Sequence, residues 1–213
     1  MLGINKDGKK DVLGIWINEN ESATFWTEVF EEIKARGVEE ILFISLDGLS
    51  GLSEAIEKIY PKAKTQRCIV HIVRNIYGIL DKKKSKEIIG DLKKIYTASN
   101  GNNAKLEYEN FIEKYKSNEK LIKKLNSVIE HIFNIFEYPI EIRKIIYTTN
   151  PIESLNSSLR KVTRGKGSFI SKEALLKVLY LRIKDLEKSW SKGTRNWGNV
   201  KHQLIELYGE RVL

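Results

Sequence analysis

The chain has 213 residues, 41% hydrophobic and 31% charged, with 37 Lys and Arg against 28 Asp and Glu for a net charge of +9. That length suits one large domain, or one domain carrying a sizeable insertion. No apolar run approaches the ~18 residues of a membrane span, no apolar segment follows Lys6, Lys9 and Lys10 as a signal peptide requires, and the single Cys68 excludes an internal disulfide, so the expectation is a soluble protein of the reducing cytoplasm. The basic balance is explained either by a solvated lysine surface or by a polyanion partner, most often nucleic acid.

The segments Met1–Asn5 and Val12–Ile17 flank Lys6-Asp7-Gly8-Lys9 and predict a β-hairpin with an Asp-Gly turn. Ser22 is placed to cap a helix with Phe25, Val29 and Ile33 on one face, and Gly37 to end it. Ile41–Leu46 is apolar at every position but Ser45, the pattern of a buried parallel or central strand. Leu52–Ile59 reads as a short helix stopped before Pro61, and Thr65–Val70 as a strand leading into a helix from about His71. This order is that of an α/β fold.

From about Ile76 to Tyr138 the pattern turns purely helical. Lys82-Lys83-Lys84, Lys93-Lys94 and Lys123-Lys124 alternate with Ile, Leu and Tyr, and three helices are expected, broken by a loop at Asn100-Gly101-Asn102-Asn103 and again near Ser117-Asn118. Most of these lysines fit the solvated faces of amphipathic helices. Asn150-Pro151 then opens a helix to about Val162, with Ile152, Leu155, Leu159 and Val162 as its apolar stripe. A basic loop, Arg164-Gly165-Lys166-Gly167-Ser168, follows; its glycine and lysine spacing is not that of a Walker A loop. Ala174–Leu186 is a further amphipathic helix, and a last helical stretch lies near Leu204–Tyr208.

Two carboxylates carry the chemical interest. Asp47, in Asp47-Gly48-Leu49, ends the apolar strand, at the carboxyl edge where α/β sheets place their sites, although Asp-Gly after a strand is most often only a turn. Glu153 sits at the third position of the Asn150 helix, where a capping box would by itself explain it. The same helix brings Asn156, Ser157, Arg160 and Arg164 to its polar side, a carboxylate bordered by phosphate-binding groups. Arg160, Lys161, Arg164 and Lys166 are therefore candidate DNA-binding residues. Cys68-x-x-His71 is weak as a zinc motif, since only His131 and His202 remain to complete four ligands.

Read together, several strings are specific: Asp47-Gly48-Leu49-Ser50-Gly51; Cys68-Ile69-Val70-His71 with Arg74-Asn75; Tyr138-Pro139-Ile140-Glu141-Ile142-Arg143-Lys144; and Thr148-Thr149-Asn150-Pro151-Ile152-Glu153-Ser154-Leu155-Asn156. With Leu159-Arg160-Lys161-Val162-Thr163 they closely resemble the Mutator-type transposases of bacterial insertion sequences, over nearly the whole chain. The resemblance implies a ribonuclease-H-like core with an Asp-Asp-Glu triad and an all-α insertion before the Glu. It assigns Asp47 as the second Asp, Glu153 as the Glu, and Cys68 and His71 to a Cys-x-x-His motif close to the active site, which makes all four candidate catalytic residues. It implies Mg²⁺ or Mn²⁺, as two ions about 3.5–4 Å apart, held by Asp47 and Glu153. Transposon ends and target DNA are the implied partners, with a second copy or an intact transposase, and no membrane.

The domain boundaries that follow are 1–75 for the first part of the core, 76–139 for the insertion, 140–187 for the Glu helix and its successor, and 188–213 for a tail. In the family the first Asp lies on a strand upstream of a segment like Met1–Asn5, and Asp7 and Asp11 are poor substitutes. The expectation is therefore a carboxy-terminal fragment, missing a central strand, marginally stable and inactive or nearly so alone. Its alternatives are a non-catalytic DNA-binding or dimerising protein that modulates an intact transposase, and a remnant that does not fold.

Overall fold

The computed structural model describes residues 1–18, 22–48, 51–147, 150–165, 168–190 and 193–212, with the backbone alone at 150 and 151. It divides into two compact units, Met1–Leu42 with Ser50–Ala63 and Thr149–Leu213, and Phe43–Leu49 with Lys64–Thr148. The fold is mixed α/β and mostly helical; among the described residues the strands form two separate two-stranded sheets.

In the first unit, β1 (Leu2–Ile4) and β2 (Lys10–Val12) pair antiparallel with Leu2 opposite Val12, the hairpin expected around Asp7-Gly8. Helix α1 (Ala23–Ala35) starts where Ser22 Oγ accepts the Phe25 N–H at 3.2 Å. It ends in a Schellman motif, with the Gly37 N–H donating to the Lys34 carbonyl and Val38 N–H to that of Ile33. Its buried face, Val29, Phe30 and Ile33, packs on Leu52, Ala55 and Ile56 of α2 (Leu52–Ile59). Each large side chain so buried contributes about 1.5–3 kcal/mol. Tyr60 closes this pair, its ring edge-on to Phe30 and its hydroxyl donating to the Val38 carbonyl at 2.7 Å.

The same unit holds α9 (Asn150–Thr163), α10 (Lys172–Ser189) and α11 (Trp197–Tyr208). Helix α9 packs on α10, and α10 on β2. The carboxy-terminal segment also grips the hairpin turn: Trp197 Nε1 donates to the Lys6 carbonyl at 3.0 Å, and the Thr194 N–H and Oγ1 both donate to that of Gly8.

In the second unit, β3 (Phe43–Leu46) runs parallel to β4 (Lys64–Arg67), with Leu46 opposite Arg67. Helix α3 (Ile69–Tyr77) follows, burying Ile69, Ile72 and Ile76. Then come α4 (Lys82–Tyr96), α5 (Gly101–Tyr115), α6 (Glu119–Asn126), the short α7 (Ile129–Phe133), a 3₁₀ turn over Asn134–Glu137, and α8 (Ile140–Tyr147). Their core is aliphatic: Ile88, Leu92, Ile95, Leu121, Leu125, Ile132 and Ile135 are all closed to solvent. Lys82, Lys83, Lys84 and Lys93 are exposed, as solvated helix faces require.

Several expectations are corrected here. The stretch between Ile76 and Tyr138 holds four helices and a 3₁₀ turn after α3, not three helices. Asn100–Asn103 is no loop: Asn100 Oδ1 accepts the Asn103 N–H, so the polar run is a cap and the first turn of α5. The apolar run Ile41–Leu46 gives a strand only from Phe43, and Phe43, Ile44 and Leu46 are half-buried rather than buried. Among the described residues β3 has one pairing partner, β4, so its other edge has no neighbouring strand to cover it.

Helices α4 and α5 are joined by a charge network. Lys114 Nζ reaches Glu87 at 2.7 Å and Asp91 at 2.6 Å, Lys94 Nζ reaches Asp91 at 2.8 Å, and the Tyr115 hydroxyl donates to Asp91 at 2.8 Å. Hydrogen bonds from Lys114 and then Lys94 hold the Asp91 carboxyl well below the usual carboxylate range, against the opposing effect of burial.

Candidate functional site

The sequence candidates divide between the two units. In the second, the Cys68 N–H donates to the Leu46 carbonyl at 2.6 Å, which draws the start of α3 against the end of β3. Asp47 is the next residue and its side chain is exposed. Asp47, Cys68 and His71 thus share one rim, made by the carboxyl ends of two parallel strands and a helix amino terminus. Such a rim is the usual place for a site in parallel sheets.

The glycines of Asp47-Gly48-Leu49-Ser50-Gly51 are explained by backbone geometry. Gly48 has φ 96°, and a Cβ there would stand 3.0 Å from Arg67 Nε. Gly51, in the first unit, has φ 82°, and its Cβ would stand 2.7 Å from the Ala23 backbone nitrogen. Left-handed φ and the space available both select glycine at these positions. Leu49 and Ser50 lie outside the described residues.

Cys68 is 5% exposed and occupies the cap position of α3, without a side-chain cap bond. His71, in the first turn, is half-buried, and its Nδ1 is enclosed with no hydrogen-bond partner among the described residues.

In the first unit, Glu153 lies in the first turn of α9 and is half-buried. The face that anchors α9 is narrower than the expected stripe: Leu155 is buried with Ser158, while Ile152, Leu159 and Val162 are half-buried. Asn156, Ser157, Arg160, Lys161 and Arg164 are exposed. At 3.6 residues per turn, Glu153, Asn156, Arg160 and Arg164 form one stripe along the helix, with Glu153 and Arg160 separated by about 10 Å of rise. Asn156, Leu159, Arg160 and Thr163 also line an open groove of ≈ 570 Å³, whose other wall is Ser168, Phe169, Leu175 and Leu179. Lys166, the fourth candidate cation, and the Asn150 and Pro151 side chains of the proposed cap lie outside the described residues.

Sequence reasoning missed Arg143. It is 5% exposed, donates from Nη1 to the Ala98 carbonyl at 2.8 Å and from Nη2 to that of Ser99 at 2.7 Å, and stacks over Phe136 at 4.7 Å. Burial lowers its pKa from the ordinary arginine value. The signal was a lone Arg inside the helical apolar pattern Ile142, Ile146, where a charge needs an internal partner.

Residues 1–193 match the family described as Transposase, Mutator family. The chain belongs to the Mutator family of transposases. It is 36% identical, over 99% of its length, to a probable transposase for insertion sequence element ISRM3-like of Sinorhizobium fredii, and covers 53% of that protein. The figures are the same for the transposase for insertion sequence element ISRM3 of Rhizobium meliloti. A third relative, the transposase for insertion sequence element IS905 of Lactococcus lactis, is 33% identical over 86% of this chain and is 47% covered. The chain spans about half the length of these curated relatives.

The family brings divalent metal into question. Mg²⁺ takes hard oxygen ligands, commonly one or two carboxylates together with water and substrate phosphates. The exposed Asp47 carboxylate and the half-buried Glu153 carboxylate are donors of that kind, whereas the buried Cys68 thiol is not. Among the described residues no three His, Cys, Asp or Glu side chains gather into a metal cluster. The oxygen donors of each carboxylate are of the kind that a hard divalent cation takes.

Proposed function

We propose that this chain is the part of an insertion-sequence transposase that carries the second Asp and the Glu of an Asp-Asp-Glu site on a ribonuclease-H-like core, here Asp47 and Glu153, and that it acts on DNA. The observation that carries the reading is the α9 stripe, where a carboxylate stands on one helix face with exposed Arg160 and Arg164. Asp47 and Glu153 would hold Mg²⁺ or Mn²⁺. Metal held there would supply Lewis acidity, to activate a water or a DNA 3′-hydroxyl and to stabilise the leaving oxygen in phosphodiester cleavage and strand transfer. Arg160, Lys161 and Arg164 neutralise backbone phosphates and set the register of the duplex; Lys166 extends the same track in sequence. Cys68 and His71 position the Asp47 rim through the start of α3. The partners are element ends, target DNA and further transposase copies, on the cytoplasmic nucleoid.

DNA binding without cleavage is a second reading, favoured by one observation: the exposed cations Arg160, Lys161 and Arg164 suit phosphate contacts that need no chemistry. Fluorescence anisotropy with duplex DNA over a salt series, followed by a cleavage assay with Mg²⁺ or Mn²⁺, tests both readings. Salt-sensitive binding is expected, with Arg164→Ala weakening all sequences alike and lowering the salt slope by about 1. Robust cleavage abolished by Glu153→Gln would remove the second reading; no binding at low salt would remove both.

A further inference from the structure

The linker between α9 and α10 contains the most exposed large apolar side chain among the described residues. Ile170 is 102% exposed, against 56% for Tyr180 and Leu181. The local geometry explains why it points outward. Phe169 turns into the α9–α10 groove beside Leu159, Leu175 and Leu179, and Ser171 is committed as the cap of α10, its Oγ accepting the Ala174 N–H at 3.2 Å. Ile170, between two anchored neighbours, is left projecting.

The sequence around it is polar and charged. Exposed Arg160 and Arg164 precede the linker, exposed Ser168 and Ser171 bracket Phe169 and Ile170, and exposed Lys172 and Glu173 follow. A protein-docking surface would be a contiguous apolar patch of several hundred Å². Here one aliphatic side chain projects from a linker that exposed Arg164 and Lys172 flank in sequence, an arrangement complementary to a polyanion that offers a narrow apolar slot. A DNA base step is such a slot: single Ile, Leu, Met or Phe side chains wedge between base pairs, and cations on either side hold the phosphates of the bent backbone.

We propose that Ile170 is a wedge that inserts into a base step of the bound duplex and kinks it beside the α9 phosphate track. The proposal rests on the DNA-binding reading above. It assigns the two parts of the interface different work: Arg160 and Arg164 supply affinity, and Ile170 supplies deformation. Local unstacking would make the nearby backbone more accessible to chemistry directed by Glu153.

The test uses the full chain and duplexes carrying 2-aminopurine at successive positions, with a second set labelled at both ends for energy transfer. Wild type should raise 2-aminopurine fluorescence severalfold at a restricted set of steps and shorten the end-to-end distance. Ile170→Ala should abolish both signals while changing low-salt affinity by less than about threefold, since phosphate contacts dominate nonspecific binding. Ile170→Leu should restore them. Arg164→Ala should weaken binding yet keep the unstacking signal at saturation. Unchanged unstacking in Ile170→Ala would overturn the wedge while leaving DNA binding intact. Loss of all duplex binding by wild type would overturn both. Conversion of an oligomer to a monomer by Ile170→Ala, with unstacking retained, would assign the residue to a protein contact instead.

Discussion

Arg143→Ala should destabilise the second unit by about 2–4 kcal/mol. The guanidinium donates two charge-assisted hydrogen bonds, to Ala98 and Ser99, and stacks on Phe136. Bonds to a charged group contribute about 1.5–3 kcal/mol each, and the ring contact about 1 kcal/mol. Against this stands the desolvation of a cation that is 5% exposed, which the alanine variant no longer incurs. The carbonyl-bearing residues left behind are half-buried Ala98 and exposed Ser99, so water can replace part of the loss. Arg143→Lys should recover less than half, because one ammonium cannot reproduce a planar fork reaching two carbonyls. Far-UV circular dichroism during urea unfolding is the assay, because Trp16, Trp26, Trp190 and Trp197 all belong to the first unit and report on that unit instead. With m about 2 kcal/mol/M the midpoint should fall by roughly 1–2 M. A shift corresponding to less than about 0.5 kcal/mol, or full rescue by lysine, would refute the claim that the fork ties the end of α4 to α8.

Gly51→Ala should cost about 2 kcal/mol or more in thermal or urea unfolding, since left-handed φ costs about 1–2 kcal/mol and the new Cβ meets the Ala23 nitrogen at 2.7 Å; a neutral outcome would show that the α1–α2 contact is looser than described. Asp91→Asn should destabilise at neutral pH and progressively less in acid. The native carboxyl is held below its ordinary value by Lys114 and Lys94, so its contribution is complete above the unfolded pKa of about 4 and fades as pH falls through the lower native value. Urea midpoints of both proteins between pH 7 and pH 2 should converge, and a constant gap would mean the network is not what stabilises the carboxylate.

Local signals carried much of the fold. Ser22 and Gly37 bound α1 because capping chemistry is written in a few adjacent residues, and Pro61 likewise stops α2. What failed depended on distant neighbours. Asn100–Asn103 has loop composition, yet Asn is equally a helix cap, and only the helix behind it decides. Ile41–Leu46 reads as buried because composition reports apolarity and not the number of flanking strands. Helix α8 was unread because Pro139 and the alternating Ile140-Glu141-Ile142 suit several conformations. For the site, residue spacing along α9 was visible from helical periodicity alone. The exposure of Ile170 was not, because it follows from Phe169 entering the groove and Ser171 capping α10.

The central proposal is that Asp47 and Glu153 each contribute a metal-holding carboxylate when DNA is bound. The most direct measurement is a Mn²⁺ titration of the chain–duplex complex by electron paramagnetic resonance, which requires no turnover. The account predicts DNA-dependent Mn²⁺ binding that Asp47→Asn and Glu153→Gln each weaken by about tenfold or more, while Arg164→Ala, tested at saturating DNA, does not. Mn²⁺ affinity unaffected by either carboxylate substitution, or no DNA-dependent binding in wild type, would contradict it.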